Sequence, residues 1–230
     1  MQTYVSYTST IQVNGVSLLY HVEGCGRPIL LLHGNSGSHN DLHMLQMQLA
    51  QAGYLVYAID SRGQGANAPL PEYHYADMAE DIYQFIRMLD LQWPAIYGWS
   101  DGGIVALMLE LIHPGTCCVL AISGANTHPS GVKDGILPPI QEGKEEPPLM
   151  RMMQYEPDIK PADLKKITLG VLVTAGENDA VKDEHTRYIA DYLPNGELCI
   201  VPGADHSSYV LNSPTIGYIV VDYLHRKNFY

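Results

Sequence analysis

Gly98-Trp99-Ser100-Asp101-Gly102 sets a serine between two glycines, where the strand-forming run Ala95 to Trp99 gives way to the apolar helical run Ile104 to Ile112. A serine hydroxyl is a weak nucleophile and attacks a carbonyl only when a base within hydrogen-bond reach takes its proton. A G-x-S-x-G turn between strand and helix provides the exposure for that attack. The turn is sharp and strained, it lifts Oγ above the carboxyl end of a sheet, and neighbouring backbone leaves no room for side chains at its glycines. The first turn of the following helix also favours the negative charge that develops during attack. Ser100 is therefore the candidate nucleophile.

Ten histidines could serve as the base. A nucleophile on a strand–turn–helix elbow takes its base from the end of the chain order, after its acid. His206, in Gly203-Ala204-Asp205-His206-Ser207, follows the strand-like run Leu198 to Val201 and meets that condition. His225 lies in the last helical run and reads as a surface residue, and His113, just before Pro114, reads as a helix C-terminal cap. The acid that fixes the imidazole tautomer belongs after the preceding strand. There Val171 to Ala175 runs into Gly176-Glu177-Asn178-Asp179, so Asp179 is the candidate. Glu177 reads as a loop ligand, Asp183 as a charge at a helix N-terminus, and Asp205 as pointing away from its neighbour His206. An oxyanion needs two backbone N–H donors. Asp101 offers one and Asn35 the other, the latter in the loop His33-Gly34-Asn35; His33 itself reads as a structural residue bonded to that loop. Trp99, Met150 and Met153 are candidates for pocket walls, with packing onto the core as the competing role for each. No His, Asp or Glu cluster has metal-ligand spacing, Gly63-Gln64-Gly65 lacks the continuation of a phosphate loop, and no cofactor is expected.

The elements that must position these residues follow a regular rhythm. Asn14-Gly15 between two strand-forming runs is a type I′ hairpin signal. Pro28 to Leu32 and Tyr54 to Ile59 are unbroken apolar runs, as strands covered on both faces require. Helical spacing marks Asp41 to Ala52, Tyr75 to Leu89, His185 to Leu193 and Thr215 to His225, and Cys117 to Ile122 reads as a buried strand. This alternation predicts an α/β fold, a mostly parallel sheet with helices on both faces, with residues 1–125 and 166–230 as the core. Residues 126–165 break the rhythm with seven prolines and the run Gly143-Lys144-Glu145-Glu146. They are expected to form a short cap insertion in which Leu149 to Tyr155 and Ala162 to Lys166 make small helices.

Leu30-Leu-Leu-His-Gly-Asn35, Asp60-Ser-Arg-Gly-Gln-Gly65, Gly98-Trp-Ser-Asp-Gly-Gly103, Gly176-Glu-Asn-Asp179 and Pro202-Gly-Ala-Asp-His206 occur in an order spanning nearly the whole chain. Together they resemble the α/β-hydrolase superfamily, and the Gly-Trp-Ser-Asp-Gly-Gly variant is similar to its small esterases, including valacyclovir-hydrolase-like members. The resemblance implies the α/β-hydrolase fold and a Ser-His-Asp serine hydrolase. A serine at position 100 sets the chain apart from the haloalkane dehalogenase branch, whose nucleophile is Asp. Relatives carry a longer helical lid where this chain has its short proline-rich segment, which leaves the substrate open. A carboxylesterase for small neutral or cationic esters is the leading reading. A C–C bond hydrolase or acyltransferase using the same triad, and a non-catalytic ligand-binding module, are the alternatives.

Bulk properties bound the partners. At 230 residues and 46% hydrophobic, the chain can bury one sizeable core. A net charge of −12, from 13 basic and 25 acidic residues, opposes nucleic acid, anionic membrane and polyanionic substrates, so a small-molecule ester is the expected partner. Cys25, Cys117, Cys118 and Cys199 match no zinc spacing and read as buried, reduced thiols. No apolar stretch nears the ~18 residues of a membrane helix, and MQTYVSYTST lacks a basic and apolar leader pattern; a cytoplasmic protein is expected.

Overall fold

The computed structural model describes residues 3–140 and 146–230. Eight strands form one sheet: β1 (Val5–Val13), β2 (Val16–Gly24), β3 (Pro28–Leu32), β4 (Leu55–Ile59), β5 (Ala95–Trp99), β6 (Val119–Ser123), β7 (Gly170–Asn178) and β8 (Gly196–Asp205). Their order is β1-β2-β4-β3-β5-β6-β7-β8. The β1–β2 and β2–β4 pairs are antiparallel and all others are parallel. At the hairpin, Asn14 and Gly15 both have positive φ, 44° and 79°, as a type I′ turn demands.

Among the described residues seven α-helices accompany these strands, the last of them after β8: α1 (His43–Gln51), α2 (Tyr75–Met88), α3 (Asp101–Ile112), α4 (Pro148–Tyr155), α5 (Pro161–Leu164), α6 (Asp183–Tyr192) and α7 (Thr215–Arg226). The alternation of side chains along each strand sorts them onto two faces. In β3, Leu30 and Leu32 join the core shared with α2, α3 and α6, whereas Ile29 and Leu31 face α1 and α7. Met152 and Leu164, from the two short helices between β6 and β7, pack into the first of these cores. This is the two-faced, mostly parallel sheet that the rhythm of the sequence predicts. Leu31 is completely buried, and truncating such a side chain to alanine costs about 2–5 kcal/mol.

The departures have local causes. β6 starts at Val119, two residues later than the apolar run suggests, because the Glu110 carboxylate takes the Cys117 N–H (2.9 Å) and lies 3.1 Å from its thiol. Cys117 is buried, but Cys25, Cys118 and Cys199 are only half-buried; none of the four is in a disulfide. β7 and β8 run further than their apolar stretches, carried by the pairing of Asn178 with Asp205 across a register shift. His113 occupies the C-cap position of α3, yet its ring stacks on Tyr83 and bonds Glu80 instead of capping carbonyls. The run at 143–146 lies outside the described residues except for Glu146. Among the described residues no helix is long and apolar enough to cross a membrane.

Candidate active site

The parallel register brings five loops to one edge of the sheet. Leu32 pairs with Gly98, Trp99 with Ser123, and Ser123 with Thr174, so the segments beginning at His33, Ser100, Gly124 and Asp179 leave side by side, with His206 following β8. Ser100 sits at φ 55°, ψ −118° between β5 and α3, a left-handed conformation that costs a non-glycine residue of order 1–3 kcal/mol and is held by its surroundings. A Cβ at Gly98 would lie 2.2 Å from the Gly102 carbonyl oxygen, and one at Gly102 would lie 2.1 Å from that of Leu32. The glycines of the motif therefore answer to close backbone approach. The Ser100 N–H donates to the Ser123 carbonyl at 2.7 Å, fixing the elbow to the next strand.

The structure brings the three candidate side chains into one line. Ser100 Oγ is 3.1 Å from His206 Nε2, and His206 Nδ1 is 2.6 Å from Asp179 Oδ1. With its Nδ1–H given to the carboxylate, the neutral imidazole presents Nε2 as the acceptor for the serine proton. Asp179 is 2% exposed. Burial alone would raise its carboxyl. The bond to His206, that ring's positive charge when protonated, and the N–H groups of Val181 and Gly176, both at 3.0 Å, outweigh burial and hold it below the usual carboxylate range.

The other polar groups read from the sequence have separate tasks. Glu177 accepts the Gly203 N–H at 2.7 Å. Asp183 opens α6 and pairs with Arg187. Asp205 turns its carboxylate onto the N–H groups of Ser207 and Ser208, which hold it down at about 2. His33 Nε2 accepts the Ser61 N–H at 2.9 Å, so Nδ1 carries the proton and donates to the Gly34 carbonyl at 2.7 Å. Burial keeps that ring below the ordinary histidine range against the opposing Gly34 bond. His33 is thus a brace for its own loop.

In that loop, Asn35 Nδ2 donates to Asp101 Oδ2 at 2.9 Å and Ser36 N–H donates to Gln64 Oε1 at 2.7 Å. Among the described residues, neither the Asn35 nor the Asp101 backbone N–H is given to a protein acceptor. Asp101 directly follows Ser100, and Gly34, the residue before Asn35, comes so near that a Cβ on it would lie 3.2 Å from Ser100 Cβ.

Trp99 lies in the core beneath the site. Its Nε1–H donates to the His206 carbonyl at 3.0 Å and its ring centre is 5.6 Å from the imidazole, so it buttresses the base. In α4, the residue turned inward is Met152, 3% exposed, while Met150 and Met153 are half-buried. Met152 lines a cleft of about 410 Å³ with Tyr73, His74, Arg151, Tyr155 and Glu156, and neither Met150 nor Met153 borders it. Gly124 carries no sequence signal. At φ 58° its missing Cβ would lie 2.7 Å from His206 Cε1, so the imidazole rests directly on this backbone. The roles of Gln64 and Tyr75 at the site were not readable, because their contacts to Ser36 and Asp101 span 28 and 26 residues. Among the described residues no three His, Cys, Asp or Glu side chains converge as a metal site.

Comparison with known proteins bears on this geometry. The family model of the alpha/beta hydrolase fold matches residues 27–173. Serine hydrolase BPHL from Mus musculus is 24% identical over 250 residues, covering 94% of this chain and 86% of that protein. Its Homo sapiens counterpart is 33% identical over 127 residues, 53% of this chain and 44% of that protein. Among solved structures, an esterase from Exiguobacterium antarcticum superposes with a TM-score of 0.80 at 22% identity, covering 95% of this chain and all of that one. A meta-cleavage product hydrolase from Pseudomonas fluorescens does so at 0.80 and 18%, covering 96% and 98%. At these identities the superpositions speak for the fold.

Proposed function

The chain belongs to the alpha/beta hydrolase fold family, and from that premise we propose that it is a serine carboxylesterase acting on small neutral or cationic esters, with Ser100, His206 and Asp179 as its triad. The observation that carries the reading is the unbroken line from Ser100 Oγ through the imidazole to the buried Asp179 carboxylate. His206 Nε2 takes the serine proton as Oγ adds to the ester carbonyl. Asp179 holds the tautomer and stabilises the imidazolium that forms. The oxyanion settles against the N–H groups of Asn35 and Asp101. Collapse expels the alcohol, which receives the proton from His206, and the Ser100 acyl ester remains. Water, deprotonated by the same imidazole, then attacks and frees the acid and the serine.

The substrate class follows from two features. A net charge of −12 disfavours polyanionic substrates, and the short segment between β6 and β7 offers little surface to enclose a long acyl chain. The similarity in sequence to a serine hydrolase and in fold to an esterase supports ester chemistry. C–C bond hydrolysis or acyl transfer would use the same triad, and analysis of products from an ester, a vinylogous diketone and an alcohol acceptor separates the three. The test is labelling with a fluorophosphonate and turnover of p-nitrophenyl acetate. Both are expected in the wild type, with the label on Ser100, and both should vanish in folded Ser100→Ala. Turnover by that variant at near the wild-type rate overturns the assignment, and a wild type that neither labels nor turns over is a binding module.

A further inference from the structure

A carboxylate 3% exposed beside a forming oxyanion is an unfavourable neighbour unless other groups engage it. Asp101 is such a group. Its Oδ2 accepts Asn35 Nδ2 at 2.9 Å and its Oδ1 accepts the Tyr75 hydroxyl at 2.8 Å. Burial pushes this carboxyl up, and the two donors oppose the rise. Asn35 lies outside any helix or strand, in a loop whose next residue, Ser36, has a φ of 58°. Within the loop His33 and the Gly37 N–H both bond the Gly34 carbonyl, and the residues beyond it are held from outside. Gln64 fixes the loop on one side and Asp101 on the other.

Building on the Ser100 reading above, we propose that Asp101 and Tyr75 are positioning residues that set the Asn35 N–H for the oxyanion and link it to the segment between β6 and β7. Tyr75 begins α2 and is 1% exposed. Its backbone N–H donates to Glu156 Oε2 at 3.1 Å, and the preceding His74 bonds Glu156 Oε1 at 2.6 Å. Glu156 ends α4. A continuous line therefore runs from the end of α4 through Tyr75 and Asp101 to the loop that supplies one oxyanion donor. Because that donor acts in the transition state, the line should govern kcat and leave ground-state binding nearly untouched.

The test measures kcat and KM on p-nitrophenyl acetate for Tyr75→Phe, Asp101→Asn, Asn35→Ala and the exchange Asp101→Asn with Asn35→Asp. Thermal unfolding of each protein shows that it is folded. An asparagine at 101 can still accept from Asn35 Nδ2 only by turning its NH₂ onto the Tyr75 hydroxyl, which reverses that bond and removes the charge from both. For Asp101→Asn, kcat should therefore fall by about tenfold with KM within twofold, short of the full loss of an oxyanion donor. Asn35→Ala should match it, and Tyr75→Phe should cost severalfold in kcat. The exchange restores a carboxylate–amide pair and keeps an acceptor for Tyr75, so it should recover at least half of the logarithmic loss. Single variants that keep kcat within twofold, or that lose it only in step with a raised KM or a collapsed melting temperature, overturn the proposal. So does an exchange that folds and recovers nothing. If Ser100→Ala retains labelling and turnover, the nucleophile assignment fails instead, and that result is read independently of these variants.

Discussion

The carboxyl edge of the sheet and the segment between β6 and β7 are held by different means. At the edge, each candidate catalytic group is fixed several times over. Asp179 engages three donors, the Ser100 backbone is bonded to β6, and the His206 ring rests on Gly124 while its carbonyl is bonded to Trp99. The inserted segment is fastened near its ends. Val132 bridges Val181, Lys133 N–H donates to the Ala180 carbonyl, and Glu156 reaches Tyr75. Between these points Ile136 and Ile140 are more than half exposed. The contrast teaches that the candidate catalytic groups are placed by strand register, whereas the inserted segment is held by a few polar grips and by the packing of Met152 and Leu164 into the core.

Four measurements can break or sharpen that division. Asp179→Asn should lower kcat by about 10⁴, through loss of tautomer control, while Glu177→Gln, whose amide oxygen can still accept the Gly203 N–H, should stay near wild type in the same steady-state assay. A reversed ranking would move the acid to Glu177. Gly124→Ala adds a Cβ where only 2.7 Å separates it from the imidazole, at positive φ. Displacing the base by about 1 Å should cost on the order of 10²-fold in kcat/KM, and unchanged kinetics would show that His206 has other room.

On the inserted segment the expected effects are smaller. With little enclosure, kcat/KM for p-nitrophenyl esters from acetate to octanoate should level off after the first few carbons. A closed tunnel would instead add up to about 0.8 kcal/mol, or roughly fourfold, per CH₂, and a steady climb of that size would show that the insertion encloses the acyl chain.

The smallest effect concerns pH. His185 Nε2 accepts the Thr127 N–H at 3.0 Å and so fastens the start of the insertion to α6. Burial first, then the charges of His128 and Lys182, keep this ring below its ordinary 6.5. The unfolded chain therefore binds the proton first as pH falls, and the stabilisation present above 6.5 is lost as pH drops through the lower folded value. His33 is shifted the same way, so the measurement is the difference between the wild type and His185→Asn in urea unfolding from pH 7.5 to 5. The wild type should lose more stability than the variant, and parallel curves would mean that the fastening does not depend on the neutral ring.

Much of this architecture was legible because both faces of the central strands are covered. Apolar runs such as Ala95 to Trp99 then have a single reading, and the glycines around Ser100 announce a close approach that the backbone makes. Strand ends were less legible. Gly176 to Asn178 and Pro202 to Asp205 are turn-like in composition, yet cross-strand pairing extends β7 and β8 through them. The supports of the site were the least visible. Gln64 stands in the Asp60 to Gly65 motif and Tyr75 at the start of a helical run, but their contacts to the site, like that of Gly124, are ones that only folding creates. In α4 the helical spacing was readable, but which methionine turns inward depends on the way the helix docks: Met152 is buried, and Met150 and Met153 stay at the margin.

The placement of the insertion's fastenings has a consequence for how such a protein can diversify. Gly131 to Lys133 grip the backbone beside the Asp179 loop, and Glu156 holds the start of α2. A foreign segment spliced in after Lys133 and before Glu156 would inherit both grips if it also filled the core position of Met152, whereas a junction only a few residues outside them would loosen the Asp179 or the Asn35 loop. On the proposed function, an exchange of this segment within those two boundaries should change substrate range and leave the Ser100, His206 and Asp179 geometry in place.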